Sequence, residues 1–425
     1  MSLVVKGGQV IDATGERAAD VVIEDGRIVA VGPGLSGDRM LDARGCVVAP
    51  GLVDLHTHLR EPGHEEAETV ETGSRAAALG GFTAIVAMPN TEPAMDSAGV
   101  IREVLELGRR AGLCDVHVAG AITVGRTGER LAPLGEMADL GVHLFTDDGR
   151  GVQDNRLMRR ALEYASGLGV TLAQHCEDEA LAAGGHMNEG EWSSKLGIPG
   201  IPAEAEELMV MRDLTLARLT GSRVHFQHLS TGGAVAMVRA ARERGLPVTA
   251  EVTPHHFTLS EECCASYDPL FKVNPPLRSA GDVEAIRAAV ADGSVDAIAT
   301  DHAPHALEYK EQPFDEAPPG MLGLETALAL ALTELPSVPL AAILGLLSWQ
   351  PAGIAGIGDE HGGPIVEGRP ANLCVIDTAP SWTVDPSRLA SRSRNTPYAG
   401  RTLRGRVRHT ILRGEPVVVD GAAQR

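Results

Sequence analysis

The sequence predicts an α/β fold: a closed barrel of eight strand–helix units, accompanied by a small β-sandwich built from both chain ends. Three observations carry this. Short apolar runs recur through the middle of the chain, each followed by a polar tip and a stretch of helix formers. Alternating strand and helix imply a parallel sheet, and eight such units imply closure into a barrel. The two ends instead hold short β-rich segments separated by turn signals, with no helical period.

Residues 1–46 contain Leu3–Asp12, Ala19–Gly32 and the start of Met40–Val48, with Glu24-Asp25-Gly26-Arg27 as a hairpin turn signal. This reads as a small antiparallel sheet. The stretch 365–425 has the same character in Ala371–Thr378, Ser381–Asp385 and Gly405–Gly421. The two ends are expected to form one module, 1–46 plus 365–425, with the barrel, 47–364, inserted between them. The predicted barrel strands are Val47–Leu55, Phe82–Met88, Asp115–Ala121, Gly141–Phe145, Val170–Gln174, Val224–Gln227, Val248–Val252 and Val295–Ala299. Helices are expected within Glu66–Leu79, Val100–Arg110, Asn155–Gly167, Ala203–Leu219 and Gly233–Arg244. A doubly wound sheet would carry a glycine-rich phosphate loop after its first strand. This chain has His-Thr-His-Leu-Arg-Glu-Pro-Gly there, which is no such loop.

At 425 residues the chain suits one large domain with a smaller module. Its hydrophobic (44%) and charged (22%) fractions are ordinary for a globular protein. No apolar run is long enough to span a bilayer, and Met1–Asp12 lacks the pattern of a signal peptide, so a cytoplasmic protein is expected. A formal charge of −20 argues against a nucleic-acid partner, which would call for a basic patch. It leaves an anionic small molecule open, because bound divalent cations and one arginine would dominate the local field. The six cysteines show no Cys-x-x-Cys spacing, so neither a disulfide framework nor a structural zinc is expected. The only lysines are Lys6, Lys195, Lys272 and Lys310.

The predicted strands end in metal-ligand chemistry. The first run leads into His56-Thr57-His58, the fourth into Asp147-Asp148, the fifth into His175, the sixth into His228 and the eighth into Asp301. Residues two apart on a strand share a face, so His56 and His58 can converge on one ion. With 15 histidines, a His-x-His pair alone has roughly even odds of arising by chance. Five runs ending in ligands at one end of a barrel are far more specific. Four imidazoles and two carboxylates exceed what one zinc needs, and imply two metals.

Several longer motifs accompany these residues: Asp54–Gly63 (DLHTHLREPG), Met88–Thr91 (MPNT), Phe145–Gly149 (FTDDG) and Glu251–His256 (EVTPHH). Lys272–Arg278 (KVNPPLR), Thr300–His305 (TDHAPH) and Pro319–Thr326 (PGMLGLET) follow. On these motifs nearly the whole chain resembles the amidohydrolase superfamily, and within it class I dihydroorotases, which interconvert N-carbamoyl-L-aspartate and L-dihydroorotate in pyrimidine biosynthesis. The resemblance implies that His56, His58 and Asp301 hold a first zinc and His175 and His228 a second, with Asp148 bridging. It also implies that Asp301 is the catalytic proton shuttle. On residue chemistry alone, Asp147 remains open as the bridge.

Substrate contacts implied by the resemblance involve His58, Arg60, Asn90, Asn274, His305, Pro319 and Gly320. Arg60 would offer its planar fork to a carboxylate, with a surface ion pair as the bland reading. Asn90 and Asn274 sit where turn-forming asparagines also occur, and His305 fits loop bracing as well. His255 and His256 read as packing or supporting residues, and His302 should point away from Asp301. His117, His143 and His225 are expected to have no metal role. A homodimer is expected, and aspartate carbamoyltransferase is a candidate partner. Allantoinases and dihydropyrimidinases share this chemistry, but many bridge their metals with a carboxylated lysine after the fourth strand. Here that position is Thr146-Asp147-Asp148. A catalytically inactive homologue should have lost ligands, and all six are retained. Residues 306–320, rich in proline and acidic groups, are a candidate mobile segment.

Overall fold

The computed structural model describes all 425 residues. Eight parallel strands follow one another around a barrel: Leu52–Thr57, Phe82–Ala87, Asp115–Gly120, Leu144–Phe145, Thr171–Gln174, Val224–Phe226, Val248–Val252 and Ala297–Ile298. The ring closes between the eighth and first strands. Thr57 and His302 form a parallel bridge, and the His58 N–H donates to the His302 carbonyl at 2.9 Å. All eight strands are almost wholly buried, as expected for strands covered on both faces.

Helices pack outside by their apolar stripe. In Asn155–Leu168 the buried residues Met158, Ala161, Leu162 and Ala165 recur at helical spacing. Asp154 caps its N-terminus by accepting the Leu157 N–H at 2.6 Å, and Gly169 ends it at φ 72°. The helix Ala203–Thr220 also buries Glu206, whose carboxylate accepts from the backbone and hydroxyls of Ser230 and Thr231. That ties down the loop just beyond His228. No helix is long and apolar enough to cross a membrane.

Both chain ends join one nine-stranded sheet with a core of its own, including Val5, Val10, Val21, Ile23, Leu373 and Ile411. Purely antiparallel pairing was the expectation for the N-terminal part. Instead Leu3–Asp12 runs parallel to both Arg39–Asp42 and Val47–Pro50. The predicted strand Val47–Leu55 is also corrected: it divides at Pro50-Gly51. Val47–Pro50 pairs with Leu373–Thr383 in the terminal sheet, and Leu52–Thr57 begins the barrel. A side chain at 51 is excluded, because a Cβ there would lie 2.1 Å from Thr83 on the next barrel strand.

Candidate metal centre

His56 and His58 stand at the C-terminal end of the first barrel strand, on the face turned into the barrel mouth. Asp54, fully buried, fixes that end. Its carboxylate accepts from the Thr57 hydroxyl at 2.6 Å, and from the Thr300 N–H at 2.9 Å and hydroxyl at 2.6 Å. One side chain thus holds the first strand to the residue preceding Asp301.

The six expected ligands converge. Asp148 lies at their centre, with Oδ1 at 3.2 Å from His56 Nε2, 3.5 Å from His228 Nε2 and 3.8 Å from His175 Nδ1. Its Oδ2 is 3.6 Å from His58 Nε2. Asp301 Oδ1 is 3.1 Å from His58 Nε2 and 3.6 Å from His56 Nε2. All six are 6% exposed or less. Asp147 turns the other way: it accepts the N–H groups of Ile122 and Thr123 at 2.9 and 3.0 Å and the Thr123 hydroxyl. Between the neighbours, Asp148 is the one among the histidines.

The tautomers explain why a cation fits here. His56 Nδ1–H donates to Glu251 at 3.0 Å, and His58 Nδ1–H donates to Asn90 Oδ1 at 2.9 Å. Both Nε2 atoms then face carboxylate oxygens, an arrangement that calls for positive charge between them, either a proton on the ring or a metal ion. Buried and without any hydrogen-bond partner are His56 Nε2, Asp148 Oδ1 and His228 Nδ1. His56–His58–Asp301 and His56–Asp148–His228 each bring three ligand atoms within 4.8 Å of one another. The imidazole and carboxylate donor set suits zinc.

The electrostatics follow. Burial opposes charge on His56, but Asp148, Glu251 and Asp301 outweigh it and hold its pKa well above the ordinary histidine value. Burial opposes ionisation of Asp148 and Asp301, yet the surrounding imidazoles hold both well below the usual carboxylate range. His175, desolvated and facing His228, is pushed down to about 3.

A cavity of about 190 Å³ opens onto this cluster, lined by His58, Arg60, Asn90, Asn274, His305, Pro319 and Gly320 among others. Arg60 adopts φ 62° and makes one side-chain hydrogen bond, Nε to the Pro304 carbonyl at 3.1 Å. It forms no ion pair, which leaves its terminal nitrogens to the cavity and removes the surface-pair reading. His228 and Asp301 are also left-handed, at φ 32° and 45°, the kind of backbone strain that accumulates at functional sites. Asn90 is engaged with His58, whereas Asn274 Oδ1 is buried without a partner. His305 Nε2–H donates to the Pro319 carbonyl at 2.8 Å, so this ring does brace the loop while lining the cavity. Gly320, at φ 138°, has no room for a Cβ: Ala303 and His305 atoms would lie 2.7 and 2.9 Å away.

His302 points away from Asp301 toward Glu68, as expected, and His256 is held by Thr253 and the Pro275 carbonyl. His225 donates to Glu251, which in turn holds His56. Glu251 and Asn395 were missed as functional candidates. Glu251 ends the seventh strand beside the quoted Thr-Pro-His-His, and a carboxylate at a barrel strand end is a readable signal. Asn395 accepts the His305 N–H at 3.1 Å and donates to the Ala303 and Gly320 carbonyls, from a segment with no visible signal. Lys195 pairs with Glu191 on the surface and Lys272 Nζ donates to the Asp315 carbonyl, so neither lies between the candidate ligands.

An eight-stranded barrel with these residues gathered at its C-terminal strand ends defines an amidohydrolase-type barrel, a metal-dependent class. A family model described as Dihydro-orotase-like matches residues 45–233. Dihydroorotases of Streptomyces coelicolor and Pelotomaculum thermopropionicum are each 50% identical to this chain. The first alignment covers 98% of both chains and the second 99% of both. The chain belongs to the dihydroorotase family. Its fold is shared with an L-hydantoinase (dihydropyrimidinase) from Arthrobacter aurescens, at TM-score 0.89 and 24% identity over 100% of this chain and 97% of that one. A dihydropyrimidinase from Brevibacillus agri aligns at TM-score 0.85 and 23% identity, over 100% and 96%.

Proposed function

We propose that the protein is a zinc-dependent dihydroorotase, cyclising N-carbamoyl-L-aspartate reversibly to L-dihydroorotate in pyrimidine biosynthesis. The observation that carries this is Asp148 set among four histidines, with an unpaired Arg60 in the same cavity. His56, His58 and Asp301 would hold one zinc, His175 and His228 the other, and Asp148 both. Bound there, the metals would polarise the substrate carbonyl and acidify a water.

The chain's own residues do the rest. Arg60 presents two parallel N–H donors to the substrate carboxylate, the geometry that fixes a planar anion. Asn274 offers its unpartnered Oδ1 as an acceptor for a ring N–H. Asp301, kept ionised by its histidine neighbours, accepts a proton from the attacking water and delivers it to the departing ring nitrogen. Gly320 lets backbone approach the ring, and Asn90 keeps the His58 ring turned inward.

We read the enzyme as a cytoplasmic homodimer that can associate with aspartate carbamoyltransferase. The test is turnover by purified, zinc-loaded protein against dihydroorotate, hydantoin and allantoin. Dihydroorotate should be strongly preferred. Turnover of hydantoin or allantoin with dihydroorotate untouched would overturn the reading.

A further inference from the structure

The short helix Leu307–Lys310 carries a lysine that is only 5% exposed and has no carboxylate partner. Lys310 Nζ donates to the Pro318 carbonyl at 2.9 Å and approaches the Lys272 carbonyl at 3.5 Å. The Lys272 carbonyl also accepts the Gly320 N–H at 2.8 Å. Pro318, Pro319 and Gly320 line the cavity on one segment, and Asn274 lines it two residues beyond Lys272 on another. The ammonium therefore sits behind the seam between two walls of the substrate cavity. A buried cation held only by backbone carbonyls is costly, so the fold retains it against a desolvation penalty.

We propose that Lys310 is a positioning residue for substrate: its ammonium clamps the Pro318–Gly320 wall to the Lys272–Asn274 segment and lends the cavity positive charge. This rests on the dihydroorotase reading, in which the ligand is an anion. The charged groups around it are few. Lys272 opposes the ammonium by like charge, Asp268 favours it, and the charge of Lys310 reaches His305 on the cavity wall. Asp315 and His186 face Lys272 instead. Burial, then Lys272, pushes the Lys310 pKa down to about 7. Below that pH the ammonium supplies charge and three donors. Above it, the neutral amine keeps weaker donors and no charge, so the clamp loosens as pH rises.

The test is Lys310→Met in the full-length, zinc-loaded enzyme, with Lys310→Gln as the variant that keeps a neutral donor. KM for dihydroorotate at pH 6.5 should rise about tenfold in Lys310→Met, the loss expected for one hydrogen bond to a charged group. Its kcat should stay within about twofold. Wild-type KM should climb as pH passes 7, while both variants show a flat profile. An unchanged KM, a loss confined to kcat, or a wild-type pH profile in either variant would overturn the proposal. Hydrogen exchange at the Gly320 amide reads the clamp without turnover, so it stands apart from the assigned reaction. Exchange should be faster in Lys310→Met than in wild type, and equal rates would refute the clamp.

Discussion

Glu251 offers the sharpest test of how the cluster is held. It is fully buried, with Oε1 accepting from His56 Nδ1 at 3.0 Å and Oε2 from His225 Nε2 at 3.0 Å. Burial works against its charge, but those two histidines hold its pKa down to about 2. The carboxylate is therefore ionised at neutral pH, and by accepting from His56 Nδ1 it keeps Nε2 turned toward the candidate metal centre. Glu251→Gln keeps the shape and removes the charge. The glutamine carbonyl can still accept from His56. Its amide can donate to His225, provided that ring moves its proton to Nδ1 and donates to the Thr249 hydroxyl, now 2.8 Å away. No polar atom need be orphaned, so the variant should fold. Hydrogen bonds to a charged group are roughly twice as strong as neutral ones, so His56 becomes a poorer ligand by about 1–1.5 kcal/mol. Outer partners of metal-bound histidines typically account for about 10- to 100-fold in affinity, and the low end of that range is expected here. Zinc affinity measured by chelator competition should fall about tenfold, with the far-ultraviolet circular dichroism unchanged. A variant within about twofold of wild type would refute the argument that Glu251 tunes the site.

Asp301→Asn should leave the barrel folded and cut turnover of dihydroorotate by about 10²–10⁴-fold, the usual contribution of a general acid–base group. Activity within about threefold of wild type would remove it from the chemistry. Arg60→Lys keeps the charge and loses the fork, so kcat/KM for dihydroorotate should fall far more than for a neutral cyclic amide. Equal losses would indicate a structural role. The two neighbouring aspartates should separate cleanly: Asp148→Ala should lose at least one zinc by metal analysis. Asp147→Ala should keep its zinc and lose Tm, because the Ile122 and Thr123 N–H groups are left without an acceptor, at about 1–3 kcal/mol each. The reverse pattern would exchange their roles.

The sequence by itself determined the barrel and the positions of its chemistry. Apolar runs of strand length reveal themselves by period, and a barrel puts every strand's C-terminal end on one rim. His56, His58, His175, His228 and Asp301 could therefore be grouped without any coordinates. Local signals of that kind fail where two long-range partners compete for one residue. Val47–Leu55 reads as one strand because apolar residues continue on both sides of Pro50-Gly51. Only the pairing of Val47–Pro50 with Leu373–Thr383 and the close approach of Gly51 to Thr83 divide it between two sheets.

Asp147 and Asp148 show the same limit at a single peptide bond. Both leave the short strand Leu144–Phe145 in a loop, where period no longer says which way a side chain points. Tertiary hydrogen bonds to Ile122 and Thr123 decided it. Arg60 was legible as a candidate anion binder by residue type, but its freedom from any ion pair depends on what folding leaves around it. Glu251 reaches His56 across 195 residues, Asn395 reaches Gly320 across 75, and Lys310 closes a seam between two separate loops. Residue chemistry and spacing mark the candidate ligands. Their tautomers, charges and supports are set by partners that only the closed barrel brings within hydrogen-bond range.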